Sequence, residues 1–301
     1  MAERAIDPAA LRAQLRRLLQ VHGNGGPWLH REVGKRMAQR LLLVRKRPQH
    51  ILEWAGMLGG SDEVLSATYP DAARTVVEPD EAWAALTRAL CRPAWWSPRR
   101  WSGAATNVIT AADAVPAESC QLVWANMVLH GEIDPPRLLQ RWYDALQVGG
   151  FLMFSSLGPD TLKQLRPIYS ELGWGPPGAD FVDMHDLGDM LVQCGFADPV
   201  MDQETLTLTW ASAGELLAEL RGLGGNVSPN RHPGLRTPRW RAGLEAGLQR
   251  LRGPDGRLAL TFEVAYGHAF KVERHRRDAE QSTVSLDEMR KLVREPRRLE
   301  R

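Results

Sequence analysis

Residues 51–60, ILEWAGMLGG, contain the pattern that decides the fold: a short apolar strand that runs directly into a glycine-bearing turn. Glycine suits such a turn because it adopts dihedrals that other residues avoid and lets a ligand approach the backbone closely. An acidic residue, Glu78, follows 25 positions after Glu53, at the end of the next apolar run. This layout is typical of a nucleotide-type cofactor site at the carboxyl end of a parallel sheet.

Short apolar runs alternate with helical patterns on both sides of this turn. The runs predict strands at 50–54, 74–77, 107–110, 121–125 and 151–155. Helices are predicted at 62–69, 80–90, 135–146, 183–194, 212–222 and 237–251. Two later strands, 204–210 and 258–266, are expected to pair as an antiparallel edge. The alternation indicates an α/β fold with a mostly parallel, doubly wound sheet and helices on both faces.

The predicted sheet is flanked by two segments of different character. Residues 1–47 form an N-terminal helical segment, with amphipathic patterns at 8–22 and 28–44. Residues 48–270 form the α/β domain. Residues 271–301 are charged and poor in apolar side chains, and we expect a flexible tail.

The composition is that of a soluble globular protein, with 301 residues, 44% of them hydrophobic and 25% charged. No run approaches the length of a membrane span, and the N-terminus lacks the compact apolar stretch of a signal peptide. The three cysteines, Cys91, Cys120 and Cys194, are scattered and form no CxxC pair. These features predict a cytoplasmic protein in a reducing compartment with no membrane partner.

Positive charge is concentrated near the N-terminus, where residues 1–50 hold eleven Lys and Arg against three acidic residues. Such a region is suited to an acidic partner, although a solvated helix face is the more common explanation. The loop at 91–102 contains CRPAWWSPRRW, in which arginines and tryptophans are suited to stacking on single-stranded nucleic acid. Tryptophans that pack on the core are favoured, because no known nucleic-acid-binding motif accompanies the loop.

Three weak signals occur in the order that an adenosyl cofactor requires. Backbone N–H groups of the turn are suited to an anionic group, Glu78 to ribose hydroxyls, and Asp113 with Ala114, after the third strand, to adenine. Each has an ordinary explanation by itself, since such a turn is often only a turn and Glu78 alone would be a surface carboxylate. Neither a catalytic triad nor a metal-binding histidine motif is present.

Four strings together resemble one family, the malonyl-acyl-carrier-protein O-methyltransferases of biotin synthesis, within the class I S-adenosylmethionine-dependent methyltransferases. They are HREVGKRMAQRL at 30–41, LVWANMVLHGEIDPPRLLQRWYDALQVGGFLMFSSLGPDTLKQLR at 122–166, FVDMHDLGDMLVQCGFADPVMDQETLTLTW at 181–210 and LTFEVAYGHAF at 260–270. The resemblance implies a seven-stranded Rossmann-like sheet whose last two strands are antiparallel.

The resemblance also implies the chemistry and the partner. The expected cofactor is S-adenosyl-L-methionine, and the acceptor is the carboxylate of malonyl-acyl-carrier protein or of a small molecule. Candidate donors to that carboxylate are His185, Arg166 and Tyr266. For His185, which lies among helix-spaced acids, a helix start stabilised by the macrodipole is the favoured explanation. An acidic carrier protein would also give the basic N-terminal region a partner.

The cofactor turn departs from the family pattern of an acid followed by three alternate glycines. The acid is Glu53, but Ala55 and Met57 replace the first two glycines, and only Gly59 keeps its place. A left-handed backbone at Ala55 would cost about 1 kcal/mol, and the Met57 side chain competes with the cofactor for space. The predicted cofactor-binding residues are Glu53, Ala55, Gly56, Gly59, Glu78, Asp113, Ala114 and Asn126. Two hypotheses follow: an active methyltransferase, or a binding or regulatory protein that has lost catalysis.

Overall fold

A computed structural model describes residues 4–22, 25–41, 44–91 and 106–273. Most of the loop predicted at 91–102 and most of the tail predicted at 271–301 lie outside these ranges. Within the described residues, no helix is long and apolar enough to cross a membrane. The three cysteines are free thiols.

Seven strands form one sheet in the order β3-β2-β1-β4-β5-β7-β6. Their bounds are β1 His50–Trp54, β2 Ala73–Glu78, β3 Thr106–Thr110, β4 Cys120–Ala125, β5 Leu146–Leu157, β6 Ala197–Trp210 and β7 Leu258–Phe270. Strands β1 to β5 are parallel, and β7 runs antiparallel to both β5 and β6. The predicted fold class and the antiparallel last pair are therefore confirmed.

The helices alternate with the strands as the sequence pattern predicts. The described residues contain α1 Pro8–His22, α2 Trp28–Arg40, α3 Gly56–Gly59, α4 Asp62–Thr68, α5 Glu81–Cys91, α6 Pro135–Ala145, α7 Leu165–Glu171, α8 Met184–Cys194, α9 Ala213–Leu223 and α10 Pro238–Gln249. Local capping explains several starts: Asp134, Asp183 and Ser212 each accept a hydrogen bond from a backbone N–H in the first turn of the following helix.

Both faces of the sheet are buried because successive side chains of a strand point to opposite faces. Leu52 and Val123 face a core shared with α6 and α8, whereas Ile51 and Leu122 face a core shared with α2, α9 and α10. The N-terminal helices contribute to these cores, with Leu18 in the first and residues of α2 in the second. The carboxyl ends of β1, β2 and β4 meet at one edge, which we call the carboxyl edge.

Candidate active site

The turn after β1 begins with a strained residue. Ala55 has φ 50° and ψ 51°, a left-handed conformation that costs a residue with a Cβ about 1 kcal/mol. Its N–H donates to the carbonyl oxygen of Val77 at 2.6 Å, and its carbonyl accepts from Gly59 N at 2.7 Å. The positive φ considered for this position is thus present. Ala55 thus adopts the left-handed conformation that glycine usually supplies in such a turn, and the short helix α3 starts at the next residue.

Gly56 is required by its neighbours rather than by its dihedrals. A Cβ at this position would lie 2.7 Å from Cγ1 of Val76 and 3.0 Å from Cδ of Glu53. No Cβ fits at the first distance, so the helix could not sit this close to β1 and β2 with a larger residue. The turn therefore lies directly against the ends of both strands.

Glu78 ends β2 and is completely buried. Its Oε1 accepts hydrogen bonds from Met57 N at 2.9 Å and from Thr87 Oγ1 at 2.8 Å. Its Oε2 is buried and has no hydrogen-bond partner among the described residues. Burial raises the pKa of Glu78 to about 7, although both hydrogen bonds oppose the rise. An unpaired buried carboxylate oxygen beside the turn fits the hydroxyl groups of a ribose, as the sequence predicts for S-adenosylmethionine.

Met57 is also buried, and it belongs to the same core cluster as Trp54, Val77 and Trp83. Its backbone N–H is already committed to Glu78. One N–H group of the turn therefore orients Glu78, the last residue of β2. Competition between the Met57 side chain and a bound cofactor stays a prediction.

Glu53 is the second buried acid of the site and lies beneath the turn. Its closest cation is Arg74, whose Nη1 lies 3.8 Å from Oε2, and its Oε1 is unpaired among the described residues. Burial raises the pKa of Glu53 to about 7, with Arg74 opposing the rise. The side chain supports the turn from below, next to Gly56.

Replacing Glu53 by glutamine is expected to change how stability depends on pH. The folded protein holds the Glu53 proton more tightly than the unfolded chain does, because the pKa rises from 4.5 to about 7. Wild-type stability therefore falls as pH rises through this interval, by on the order of 3 kcal/mol for this group. Glutamine removes that loss. In urea unfolding, the free energy of unfolding of Glu53→Gln should therefore rise relative to that of the wild type as the pH increases from about 4.5 to about 8. The exposed Glu63→Gln controls for the removal of one charge, and an equal gain there would contradict the prediction.

Asn126, directly after β4, joins four parts of the site. Its Nδ2 donates to the carbonyl oxygens of His30 at 2.7 Å and Gly59 at 2.6 Å, and its Oδ1 accepts from Ser155 Oγ at 2.7 Å. The same hydroxyl oxygen of Ser155 accepts from Met127 N at 2.9 Å. Asn126 therefore connects α2, the cofactor turn, β4 and β5. Because its side chain is fully used within the protein, it positions the turn.

Asp113 and Ala114 follow β3 and are exposed. The Oδ2 of Asp113 accepts hydrogen bonds from Thr110 N at 2.7 Å and Thr110 Oγ1 at 2.9 Å, which fixes the turn after the strand. Ala114 lines a groove of about 380 Å³ together with His50 and Cys120, the first residues of β1 and β4. Contact of Asp113 and Ala114 with adenine stays a prediction.

The structure adds a pair of histidines to the site, of which His30 is buried and His130 is partly buried. His30, from α2, donates from Nδ1 to the carbonyl oxygen of Leu58 at 2.9 Å, and its ring meets that of His130 edge to face at 6.4 Å. The ring of Phe181 packs against the other side of His130 at 5.9 Å. Burial lowers the pKa of His30 to about 4 and that of His130 to about 3, so both rings are neutral at physiological pH. The Nδ1 of His130 has no partner among the described residues.

Arg4 closes this region from the N-terminal side. Its guanidinium donates to the carbonyl oxygens of His130 at 2.7 Å and Glu132 at 3.1 Å, and also to that of Asp180. The N-terminal segment is thereby tied to the short 3-10 helix Leu129–Gly131 after β4 and to the loop that carries Phe181. The sequence motifs did not reveal this cluster, because histidines 100 positions apart match no spacing pattern. The only signal was a histidine four residues after Asn126 at a strand end.

The three predicted carboxylate donors belong to three different elements, α8, α7 and β7. His185 is exposed in the first turn of α8, where its N–H donates to Asp183. Arg166 is exposed on α7 and donates to the carbonyl oxygen of Pro159. Tyr266 faces the α2 side of the sheet, where its hydroxyl donates to Glu204 and the Arg40 guanidinium lies 3.7 Å from its ring. Tyr266 is engaged in these contacts, and the roles of Tyr266, His185 and Arg166 as carboxylate donors stay predictions.

A seven-stranded sheet with an antiparallel last pair, a tight turn after β1 and a buried acid at the end of β2 are the features of the class I S-adenosylmethionine-dependent methyltransferase fold. Solved structures agree with this fold. The chain aligns with a putative methyltransferase from Bacillus halodurans C-125 at a TM-score of 0.52 and 14% identity, covering 79% of this chain and 99% of that one. It aligns with the [4+2]-cyclase SpnF at a TM-score of 0.54 and 15% identity, covering 91% and 100%.

Curated relatives identify the family. Over 276 residues the chain is 37% identical to the malonyl-[acyl-carrier protein] O-methyltransferase of Gallionella capsiferriformans (strain ES-2), covering 90% of this chain and 93% of that protein. It is 36% identical to the enzyme of the same name from Laribacter hongkongensis (strain HLHK9), covering 81% and 82%. No protein-family model matches the chain. The chain belongs to the malonyl-[acyl-carrier protein] O-methyltransferase family, and it is an enzyme.

Proposed function

We propose that this enzyme transfers the methyl group of S-adenosylmethionine to the free carboxylate of malonyl-acyl-carrier protein. The observation that carries the cofactor half of the proposal is the unpaired, buried Oε2 of Glu78 beside the tight turn after β1. The acceptor half rests on the relatives, whose names give malonyl-acyl-carrier protein as the substrate. Masking the malonyl charge would commit the unit to the synthesis of biotin, in the cytoplasm.

The chemistry asks little of acid–base groups. The malonyl carboxylate is ionised at neutral pH and is itself the nucleophile, so no general base is needed. S-adenosylmethionine, held by Glu78 and the turn after β1, would supply an electrophilic methyl on a sulfonium, which would pass to the carboxylate oxygen with S-adenosylhomocysteine as the leaving group. The protein has to hold the two reactants in line and exclude water. A neutral, largely apolar surround suits this task, because it neither traps the carboxylate in a strong ion pair nor hydrates it.

His130 is the group that we assign to the malonyl end. It is neutral, lies next to the Asn126 network through His30, and has one ring nitrogen left unpaired among the described residues. A neutral imidazole can donate a hydrogen bond from Nδ1 to a carboxylate oxygen without placing a full positive charge beside the sulfonium. It would orient the acceptor while leaving the nucleophile reactive.

Replacing His130 by phenylalanine is expected to lower kcat/KM for malonyl-acyl-carrier protein by roughly 10- to 100-fold, because a hydrogen bond to a charged group is lost. Phenylalanine keeps an aromatic ring between His30 and Phe181, so the fold and the Kd for S-adenosylmethionine should change little. His185→Phe, on the exposed start of α8, is the matched control. A larger loss in His185→Phe than in His130→Phe would reverse the assignment.

The proposed activity is tested by incubating the purified chain with S-adenosylmethionine and malonyl-acyl-carrier protein and measuring the intact mass of the carrier. We expect a gain of one methyl ester on malonyl-acyl-carrier protein and none on acetyl-acyl-carrier protein, which has no free carboxylate. Cofactor binding without methylation of the malonyl carrier would contradict the proposed acceptor. The alternative of an inactive protein receives no support from the relatives, which are named as enzymes.

A further inference from the structure

Two separate stretches of the chain carry arginine and no acidic residue. Helix α1 contains Arg12, Arg16 and Arg17, all exposed. Residues 220–244 contain five arginines and neither aspartate nor glutamate. The whole protein has a net charge of only +2, so this clustering leaves the rest of the surface more acidic. An uneven distribution of this kind favours binding to an acidic partner.

The fold brings α1 against the first half of the second stretch, at residues 222–231. His22 Nε2, at the end of α1, donates to the carbonyl oxygen of Gly222 at 2.7 Å. Gln14 lies so close to Gly224 that a Cβ there would be 2.8 Å from Gln14 Nε2. Asp7, just before α1, is neutralised by Arg231 at 2.7 Å. We call the exposed arginines of the two stretches the arginine face: Arg12, Arg16, Arg17, Arg221, Arg236, Arg239 and Arg241, of which Arg241 pairs with Glu245 at 2.7 Å.

An apolar cleft of about 500 Å³ opens on the arginine face. Trp174 stacks on Trp240 in it, with ring centroids 4.7 Å apart, and the Arg236 guanidinium lies 5.2 Å from the Trp240 ring. Leu235 stands at the rim with 87% of its surface exposed, and Arg239 lines the cleft. Tryptophan and arginine around an exposed apolar residue are the composition of a binding hot spot. We call this the tryptophan cleft, defined by Leu172, Trp174, His232, Leu235 and Trp240.

The tryptophan cleft leads to the active site along one loop. Trp174 and Phe181 are seven residues apart, which is at most about 25 Å of extended chain, and Phe181 packs on His130. Asn226 Nδ2 donates to the carbonyl oxygen of Pro176 at 2.7 Å and so holds the loop to the segment that continues to the arginine face. A partner bound at the cleft would therefore lie within about 25 Å of Phe181, the residue that packs on His130.

We infer that the arginine face and the tryptophan cleft form the docking surface for the acyl-carrier protein, an inference that rests on the proposed function. A carrier protein is small and acidic, and it presents its acyl group on a long, flexible phosphopantetheine arm. Its acidic side chains would pair with the arginines, an apolar side chain would enter the cleft beside Leu235, and the arm would follow the loop to His130. Charge complementarity selects this partner: opposite charges steer the encounter and fix its orientation.

The inference is tested with the charge reversal R236E/R239E and with Leu235→Asp, both of which alter exposed side chains. Their matched control is R45E/R47E. These two exposed arginines precede β1 and so lie near the amino ends of the parallel strands, away from the carboxyl edge. Each variant is assayed with malonyl-acyl-carrier protein and with malonyl-coenzyme A, which carries the same arm without the protein. We expect the KM for the carrier to rise roughly tenfold or more in R236E/R239E and less in Leu235→Asp. The KM for malonyl-coenzyme A, and kcat with either substrate, should stay near the wild-type values.

Three outcomes separate docking from function. Docking would occur elsewhere if the KM for the carrier were unchanged in both R236E/R239E and Leu235→Asp. The same conclusion would follow if the KM rose equally in R45E/R47E. Loss of single-stranded oligonucleotide binding in R236E/R239E, with an unchanged KM for the carrier, would mean that the arginine face serves nucleic acid and would also overturn the inference. A wild-type protein that methylates neither malonyl substrate would refute the proposed function instead.

Discussion

Replacing Glu78 by alanine is expected to raise the Kd for S-adenosylmethionine by about a hundredfold or more. The carboxylate is positioned by Met57 N and Thr87 Oγ1 through one oxygen, which leaves the other for the ribose hydroxyls. Two hydrogen bonds to a charged acceptor contribute about 3 kcal/mol or more, which corresponds to this change in Kd. Calorimetric titration of the folded variant with S-adenosylmethionine measures the effect directly.

The matched control is Glu81→Ala, which removes an acid three positions further along the chain. Glu81 is exposed at the start of α5 and pairs with Arg88, so the Kd should stay within about threefold of the wild type, as for surface substitutions in general. Circular dichroism must show that both variants fold, because Glu78 also accepts a hydrogen bond from the cofactor turn. A folded Glu78→Ala protein that binds cofactor like Glu81→Ala would remove Glu78 from the site.

Most of the fold could be predicted because strand and helix periods are local properties of the sequence. The predicted edge strand at 204–210 is an exception, since the observed β6 starts at Ala197. Its first half, ADPVMDQ, contains a proline and two aspartates, which disfavour strands. The segment is extended because β7 is long enough to pair with it, after an irregularity between Ala197 and Val200. Proline and charge are tolerated there because β6 is the last strand of the sheet.

The predictable part of the site follows the same logic. Glu78 could be found because an acid at the end of a strand necessarily lies at the carboxyl edge of a parallel sheet. The histidine pair could not, because the contact between His30, on α2, and His130, after β4, depends on the tertiary packing of elements far apart in the sequence. The same holds for the arginine face: the sequence shows a basic N-terminal region, but only the fold joins α1 to residues 220–244. The contacts of the predicted donor Tyr266 could not be predicted from the sequence either, because its partners Arg40 and Glu204 come from distant elements.

Replacing Asn126 by alanine is expected to give the largest loss of stability among these variants. The side chain makes three hydrogen bonds in a site where it is 1% exposed, so its removal leaves the carbonyls of His30 and Gly59 and the hydroxyl of Ser155 without this partner. Lost bonds and unpaired buried groups together cost about 3 to 5 kcal/mol. The melting temperature should fall by on the order of 10 °C.

Ser155→Ala is the informative comparison, because it removes a single member of the same network while Asn126 keeps both of its donors. Its cost should be about 1 to 2 kcal/mol. If Asn126→Ala were no more destabilising than Ser155→Ala, the bonds to His30 and Gly59 would contribute little, and the turn would be held mainly by its bonds to Val77, Glu78 and the His30 ring. If the larger loss occurs, cofactor affinity should fall with it, since the same bonds hold the turn against α2. Asn126 would then link the stability of the N-terminal helices to the geometry of the cofactor site.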